Sequence, residues 1–124
     1  MTIPERIRLD KKFAAIREPW QPRIAGELNG QHLKLARIAG AFIWHAHAEA
    51  DELFLVHRGR FRMEFRDGTV ELAAGDVIIV PRGVEHRPVT YDGEEAEIVL
   101  FEPAGTRNTG NIDHARTVHA PGRI

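Results

Sequence analysis

The most informative stretch of the chain is GAFIWHAHAEADELFLVHRG, residues 40–59. His45 and His47 lie two residues apart, so on a β-strand both imidazoles project from the same face and can share one ion. Glu52 follows after a polar break at residues 48–51, which can bend the chain and return a carboxylate to the same point. This stretch therefore predicts three ligands of one metal ion.

A second stretch, GDVIIVPRGVEH at residues 75–86, predicts a fourth ligand. A buried strand ends there at Pro81, Gly83 permits a tight turn, and His86 opens the following run. Three imidazoles and one carboxylate suit a borderline divalent transition metal (Fe, Mn, Zn or Ni), and an octahedral centre would keep positions for water or substrate. A closed structural zinc site is not expected because the chain has no cysteine.

The two stretches together resemble the two sequence motifs of the cupin superfamily. The first motif reads Gly, about five residues, His-x-His, three or four residues, Glu, six residues, Gly. This chain has the matching positions Gly40, His45, His47, Glu52 and Gly59. Every ligand position matches, and only the opening spacer is one residue short.

The second cupin motif reads Gly, five residues, Pro-x-Gly, two residues, His, three residues, Asn. This chain has Gly75, Pro81, Gly83, His86 and Thr90. Threonine therefore replaces the final asparagine, and the ligand position is unchanged. The resemblance implies an all-β fold, an antiparallel double-stranded β-helix or jelly-roll barrel, with the metal near its centre. It also implies that a homodimer is plausible.

The segments on either side of the motifs predict extensions of the barrel. Apolar residues recur at helical spacing around residues 10–17, so we expect a short N-terminal helix there, with Asp10 as its cap and an end at Pro19. The chain then divides into an N-terminal extension with the helix at 1–22, the barrel at 23–103 and an irregular tail at 104–124.

Local signals predict hairpins and one fully buried strand. Asn29-Gly30 and Asp67-Gly68 each lie between strand-like runs, and both dipeptides tolerate the two positive backbone angles of a type I′ turn. Residues 77–80 are apolar at every position, which is typical of a strand that is covered on both faces.

Alternation along the predicted strands defines the inward face of the barrel. Arg60, Arg62 and Arg66 fall on the opposite, solvated face, which argues against a sugar-phosphate isomerase because phosphate recognition needs inward-facing basic groups. The predicted pocket is apolar, with the metal as its polar anchor. Its predicted lining consists of Ile43, Phe54, Val56, Phe61, Met63, Ile98 and Leu100.

Composition limits the function further. At 124 residues, the chain has room for one domain, and 43% hydrophobic with 28% charged residues is typical of a water-soluble globule. A formal charge of −1 provides no overall positive field, so no nucleic-acid partner is expected. The sequence has no apolar run of about eighteen residues. We therefore expect no membrane association and a cytoplasmic location.

Two function hypotheses remain at this point. The first is a metal-dependent protein that acts on a small organic molecule, by dioxygenase-like or isomerase-like chemistry. The second is a non-catalytic protein that binds a small ligand or acts as a sensor. The sequence identifies no separate general base, which is the observation that keeps the second hypothesis open.

Overall fold

The structure, a computed structural model, describes residues 2–124. In this part of the chain one short helix precedes eight strands. The helix is α1 (Leu9–Ala14), and the strands are β1 (Arg23–Leu28), β2 (Gln31–Ala39), β3 (Glu52–Arg58), β4 (Arg60–Phe65), β5 (Gly68–Ala73), β6 (Val77–Val80), β7 (His86–Val89) and β8 (Glu95–Pro103).

The strands form two antiparallel sheets that pack face to face. The larger sheet has the order β1-β2-β8-β3-β6, and the smaller sheet has the order β5-β4-β7. Alternating apolar residues from both sheets meet in a common core, as the period of two along each strand predicts. The all-β jelly-roll prediction is confirmed. The most buried core side chains include Val56, Phe61, Met63, Ile38 and Ala96.

Helix α1 covers part of the outer face of the larger sheet. Phe13 and Ile16 are buried there against Leu35 of β2 and Val99 of β8, and these residues form a second apolar cluster. Strand β8 therefore buries residues on both of its faces. The outer cluster ties the N-terminal extension to the barrel.

The predicted helix exists, but its boundaries and cap differ from the prediction. It ends at Ala14 because the Arg37 guanidinium of β2 donates hydrogen bonds of 2.7 Å and 2.6 Å to the carbonyl oxygens of Phe13 and Ile16. Asp10 does not cap the helix, since its carboxylate is hydrogen-bonded to His57 at 2.8 Å. Tertiary partners therefore set the helix ends.

The Asn29-Gly30 hairpin forms as predicted. Leu28 pairs with Gln31, and the two turn residues have φ angles of 51° and 76°. These positive values are the ones that a two-residue type I′ turn requires.

The second hairpin forms, but its turn lies one residue earlier than predicted. Phe65 pairs with Gly68, so the two turn residues are Arg66 and Asp67. Neither Asp67 nor Gly68 has a positive φ. The type I′ prediction for this dipeptide is wrong because the register of β4 with β5 places Gly68 in the strand.

Strand β6 is not covered on both faces, which corrects the prediction for residues 77–80. It is an edge strand that pairs only with β3, and it lies at the far edge from β2, where helix α1 contacts the sheet. Ile78 and Val80 face inward, whereas Val77 and Ile79 are 52% and 59% exposed. Both faces of β6 therefore carry apolar side chains, but only the inner face is covered by other residues of the chain.

The residues after Pro103 form turns and one isolated bridge between Arg123 and Ile24. They remain in contact with the barrel, for example through the Lys34 ammonium, which donates to the Thr106 carbonyl oxygen at 3.0 Å. No helix within residues 2–124 has both the length and the apolar character needed to cross a membrane.

Candidate metal centre

His45 and His47 lie in the extended segment between β2 and β3. The segment is not part of a strand, which differs from the prediction, but His45 and His86 exchange two backbone hydrogen bonds of 3.1 Å and 2.9 Å in an isolated bridge. The extended backbone still sends both imidazoles to the same side, with 5.1 Å between their ring centroids. The isolated bridge between His45 and His86 therefore holds the backbone in the extended form that directs both imidazoles to one side, as a strand was expected to do.

Glu52 and His86 reach the same point from the first residues of β3 and β7. Glu52 Oε1 lies 3.2 Å from His47 Nε2 and 3.5 Å from His86 Nε2. Together with His45, the four residues place their candidate ligand atoms within 4.8 Å of one another, and all four are buried. The structure thus brings together the four side chains that the motifs singled out.

The unsatisfied atoms of this cluster fit a cation. His47 Nε2, His86 Nε2 and Glu52 Oε1 are buried and have no hydrogen-bond partner in the described chain. His45 Nδ1 donates to the Ile43 carbonyl oxygen at 2.9 Å, and His86 Nδ1 donates to the Val84 carbonyl oxygen at 2.8 Å. Such bonds fix a tautomer whose Nε2 lone pair is free for a metal.

The electrostatics favour the protonation states that metal ligands need. Burial, followed by the charges of His86 and His47, lowers the pKa of His45 to about 4. Burial raises the pKa of Glu52, but the adjacent Glu102 carboxyl group and the imidazoles of His47 and His86 lower it, and the resulting pKa lies well below the ordinary value. A neutral imidazole and a carboxylate are the forms that bind divalent metals.

A buried ion pair below Glu52 was missed by the sequence reasoning. Lys34 Nζ lies 2.9 Å from Glu102 Oε1, and both side chains are almost fully buried. Burial and the adjacent Glu52 carboxylate raise the pKa of Glu102 well above its ordinary value. Strand alternation contained the signal, since Lys34 shares the inward parity of Ala36 and Glu102 that of Leu100.

Hydrogen bonds join the two motifs at Thr90, the residue that replaces the asparagine of the second motif. The Gly40 amide donates to Thr90 Oγ1 at 2.6 Å, and the Thr90 amide donates to the Gly40 carbonyl oxygen at 3.0 Å. Thr90 is buried. Threonine therefore supplies the side-chain acceptor that links the ends of the two motifs.

A cavity of about 50 Å³ lies beside the cluster, with His45 and Glu52 in its wall. Of the predicted pocket residues, Phe54, Ile98 and Leu100 line it. The structure places the others, Ile43, Val56, Phe61 and Met63, in the core between the sheets rather than in this wall. Side chains that were not predicted complete the lining: Trp20, Pro22, Ala36, Ile38, Phe42, Pro88, Glu102 and Asn108.

The C-terminal tail closes over the His45–His47 segment. The Asn111 amide donates to the Ala46 carbonyl oxygen, and the Ala46 amide donates to Asn111 Oδ1, both at 3.1 Å. Gly110 has a φ of 57°, and a Cβ at this position would overlap the Ala46 carbonyl oxygen. The tail therefore approaches the ligand segment as closely as a neighbouring strand would.

The arginines of β4 and its turn face away from the cavity, as the alternation predicts. Arg60 pairs with Glu94 at 2.8 Å, Arg62 with Glu64 at 2.8 Å and Arg66 with Glu85 at 2.7 Å. None of the three arginines lines the cavity next to the cluster.

Comparisons with known proteins agree with this architecture. Residues 34–102, which contain the whole ligand cluster, match the family described as cupin domain. YdbB, an uncharacterized protein of Bacillus subtilis (strain 168), is 34% identical over 85 residues, which are 61% of this chain and 75% of that protein. A solved cupin-2 domain containing protein from Shewanella frigidimarina has a TM-score of 0.76 at 39% identity, over 78% of this chain and 93% of its own. A solved protein from Neisseria meningitidis has a TM-score of 0.72 at 32% identity, over 81% of this chain and 100% of its own.

Proposed function

Because this chain belongs to the cupin domain family, we propose that it binds a divalent transition metal through His45, His47, Glu52 and His86 and acts there on a small organic molecule. The observation that carries the proposal is the set of buried atoms without partners, namely Glu52 Oε1 and the Nε2 atoms of His47 and His86. Leaving a buried polar atom unpaired costs about 1–3 kcal/mol. A bound cation removes this cost at all three atoms.

A bound divalent metal supplies Lewis-acid polarisation of a substrate oxygen or, for a redox-active ion, oxygen chemistry. The protein contributes a water-poor environment, because Phe54, Ile98 and Leu100 are buried in the cavity wall. In such surroundings the metal and the charged carboxylates interact more strongly with a substrate than in water. We therefore propose isomerase-like or dioxygenase-like chemistry at a substrate oxygen held by the metal.

The cavity beside His45 and Glu52 limits what can reach the metal from that side. A volume of about 50 Å³ holds only a few water molecules, since one water needs roughly 10–15 Å³ on this measure. Pockets that bind drug-sized ligands usually have volumes of roughly 300–1,000 Å³. Through this cavity the metal is therefore reached by a very small molecule, or by the reacting group of a larger one, whereas a cleft of about 420 Å³ that His47 lines has room for a larger ligand.

Metal analysis of the protein without a histidine tag tests the metal site. We expect about one divalent ion per chain after metal-supplemented expression, and loss of that ion in His86→Ala with the fold retained by circular dichroism. Glu49→Gln is the matched control, because Glu49 is an exposed carboxylate near the site and its loss should leave the metal content unchanged. Wild-type protein without stoichiometric metal would contradict the proposal.

Turnover is tested separately on the metal-loaded protein. Small hydroxy, keto and phenolic compounds are screened for oxygen uptake and for isomerisation by nuclear magnetic resonance. A compound that is converted by the wild type and not by His86→Ala supports catalysis at this site. Tight binding of a compound without conversion would instead identify a binding protein or sensor.

A further inference from the structure

A cleft of about 300 Å³ lies between the barrel and the C-terminal tail. Ile24 of β1 and residues of β2 form one wall, and the tail segments 105–107 and 118–121 form the other. Within residues 2–124 no aspartate or glutamate lines this tail cleft. Its basic lining residues are His32, Lys34, Arg107, His119 and Arg123. The tail cleft therefore offers positive charge and hydrogen-bond donors to a ligand.

Strand β2 brings two of these basic side chains to the same face. His32 and Lys34 lie two residues apart on β2, so they share a face of the sheet, and Lys34 is only 2% exposed. Lys34 Nζ donates to Glu102 Oε1 at 2.9 Å and to the Thr106 carbonyl oxygen at 3.0 Å. Because an ammonium group has three donors, one N–H of Lys34 remains for a ligand.

Two buried nitrogen atoms of the lining residues have no hydrogen-bond partner in the described chain. They are His32 Nδ1 on the strand side and Arg107 Nε on the tail side. The Arg107 guanidinium is otherwise held in place, since Nη1 lies 2.9 Å from Asp113 Oδ1 and Nη2 donates to the Ile112 carbonyl oxygen at 2.7 Å. Arg107 Nε always carries a proton, and His32 Nδ1 can carry one. An acceptor bound between the two walls would remove the cost of leaving these atoms unpaired.

The carboxylates that pair with these basic groups do not fill the cleft. Glu102 pairs with Lys34, Asp113 pairs with Arg107, and Glu27 lies within 3.8 Å of His32 and 3.7 Å of Arg123. None of the three carboxylates is a lining residue. The Glu27 and Asp113 side chains are 48% and 91% exposed, so solvent screens their charges and an anion in the cleft can compete with them.

We infer that the tail cleft binds a phosphate group, held between His32 and Lys34 on β2 and Arg107 on the tail. Arginine and lysine are the side chains that most often recognise phosphate. A phosphate group has several acceptor oxygens that point in different directions, which suits donors that come from two opposite walls. A planar carboxylate has only two oxygens and would reach fewer of these donors.

The size and position of the cleft define the ligand further. A volume of about 300 Å³ lies at the lower end of the range for small-molecule pockets, so we expect a small phosphorylated molecule, with inorganic phosphate as the minimal ligand. The tail cleft shares no lining residue with the cavity beside His45 and Glu52. This phosphate site is therefore separate from the proposed metal centre.

Binding is measured with the full chain by isothermal titration calorimetry in a chloride buffer, with inorganic phosphate and glycerol 3-phosphate as probes. We expect the wild type to bind both, and the melting temperature to rise with their concentration, because the ligand binds only the folded chain. In ¹⁵N nuclear magnetic resonance spectra the Arg107 Nε–H signal should shift on addition of phosphate. Tighter binding of glycerol 3-phosphate than of phosphate would support a phosphorylated molecule as the ligand.

Two variants remove donors from opposite walls of the tail cleft. Arg107→Gln and His32→Leu should each weaken phosphate binding by about 10–100-fold, as expected when a hydrogen bond to a charged group is lost. Arg60→Gln is the matched control, since Arg60 is an exposed arginine of the smaller sheet that pairs with Glu94 at 2.8 Å. It should keep the wild-type affinity. His86→Ala should also keep it, which excludes phosphate bound at the metal centre.

Several results would overturn the inference. Wild-type protein that binds neither probe at millimolar concentration would do so, as would an equal loss of affinity in Arg60→Gln and Arg107→Gln. Binding that is lost in His86→Ala but kept in Arg107→Gln would place the phosphate at the metal centre instead. Citrate that binds more tightly than either probe would contradict the choice of phosphate. If Arg107→Gln does not fold, an unchanged affinity in His32→Leu together with an unshifted Arg107 Nε–H signal in the wild type would still refute the site.

Discussion

The inner and outer faces of the five-stranded sheet bury different kinds of side chain. The inner face carries polar groups in its interior, including Glu52, Lys34 and Glu102, together with buried atoms that lack partners. The outer face under helix α1 is mainly apolar, with Leu35 fully buried, and its buried carboxylate Glu97 is paired with Arg37 at 2.9 Å. The inner polar groups lower stability unless a ligand satisfies them, whereas the outer cluster contributes stability directly.

The same comparison extends along the outer face. Strand β6 and the segment 98–101 of β8 are both apolar on two sides, but only β8 lies where helix α1 packs. Val99 of β8 is 5% exposed, whereas Ile79 of β6 is 59% exposed. Two-sided apolar patterning therefore shows that a face is suited to burial and does not show what covers it.

The largest stability effect should come from the outer cluster. Phe13→Ala removes a side chain that is 1% exposed, so we expect a loss of about 3–5 kcal/mol in the free energy of unfolding. Denaturant titration measures this loss. Leu28→Ala is the control, because Leu28 is 58% exposed. The metal content of folded Phe13→Ala should equal that of the wild type, and a lower content would show that the two faces are coupled.

A smaller loss of stability should follow when the pH of the metal-free protein is lowered, because His45 lies on the inner face. Burial, then the charges of His86 and His47, lower the pKa of His45 from 6.5 to about 4. Between these pH values the unfolded chain binds a proton at this residue and the folded chain does not, so stability is full above pH 6.5 and falls as the pH decreases to 4. His45 should account for about 3 kcal/mol of this loss.

Unfolding free energies at a series of pH values measure the contribution of His45. His45→Gln should show a shallower decrease than the wild type between pH 6.5 and 4. His119→Gln is the control, because His119 is exposed. Equal slopes in the wild type and His45→Gln would contradict the assignment of this pH dependence to the inner face.

The smallest stability effect is expected at the exposed outer face of the edge strand β6. Ile79→Lys changes an exposed side chain on an edge strand, so the free energy of unfolding at low protein concentration should change by less than about 0.5 kcal/mol. The homodimer expected from the family resemblance is tested by sedimentation of the wild type over a concentration series. A dimer that dissociates in Ile79→Lys would place the interface on β6, whereas a large loss of monomer stability would show that this face is buried within one chain.

The motif spacing was sufficient to predict the convergence of the site. His45, His47, Glu52 and His86 are each placed by turns and bridges that lie within or between the motifs, so local spacing carries enough information. Glu102 was missed because its neighbour Glu52 lies fifty positions earlier in the chain. Their contact depends on the register of β8 against β3, which one sequence does not specify.

The errors in the predicted fold have the same origin. The end of helix α1 depends on Arg37, a residue of a distant strand, and the exposure of Ile79 depends on where that helix packs. The shift of the predicted turn at Asp67-Gly68 depends on the pairing of Phe65 with Gly68. Local propensity identifies an element, but tertiary partners determine its limits and its surroundings.

The close contact of Gly110 and Asn111 with Ala46 has a consequence for protein engineering. These two residues lie outside the matched segment 34–102, yet they pack on the backbone between two candidate ligands. A chimera that joins this barrel to the C-terminal part of a relative would have to preserve a glycine and an asparagine at equivalent places. Recombination libraries should therefore inherit residues 45–47 and 108–111 from the same parent.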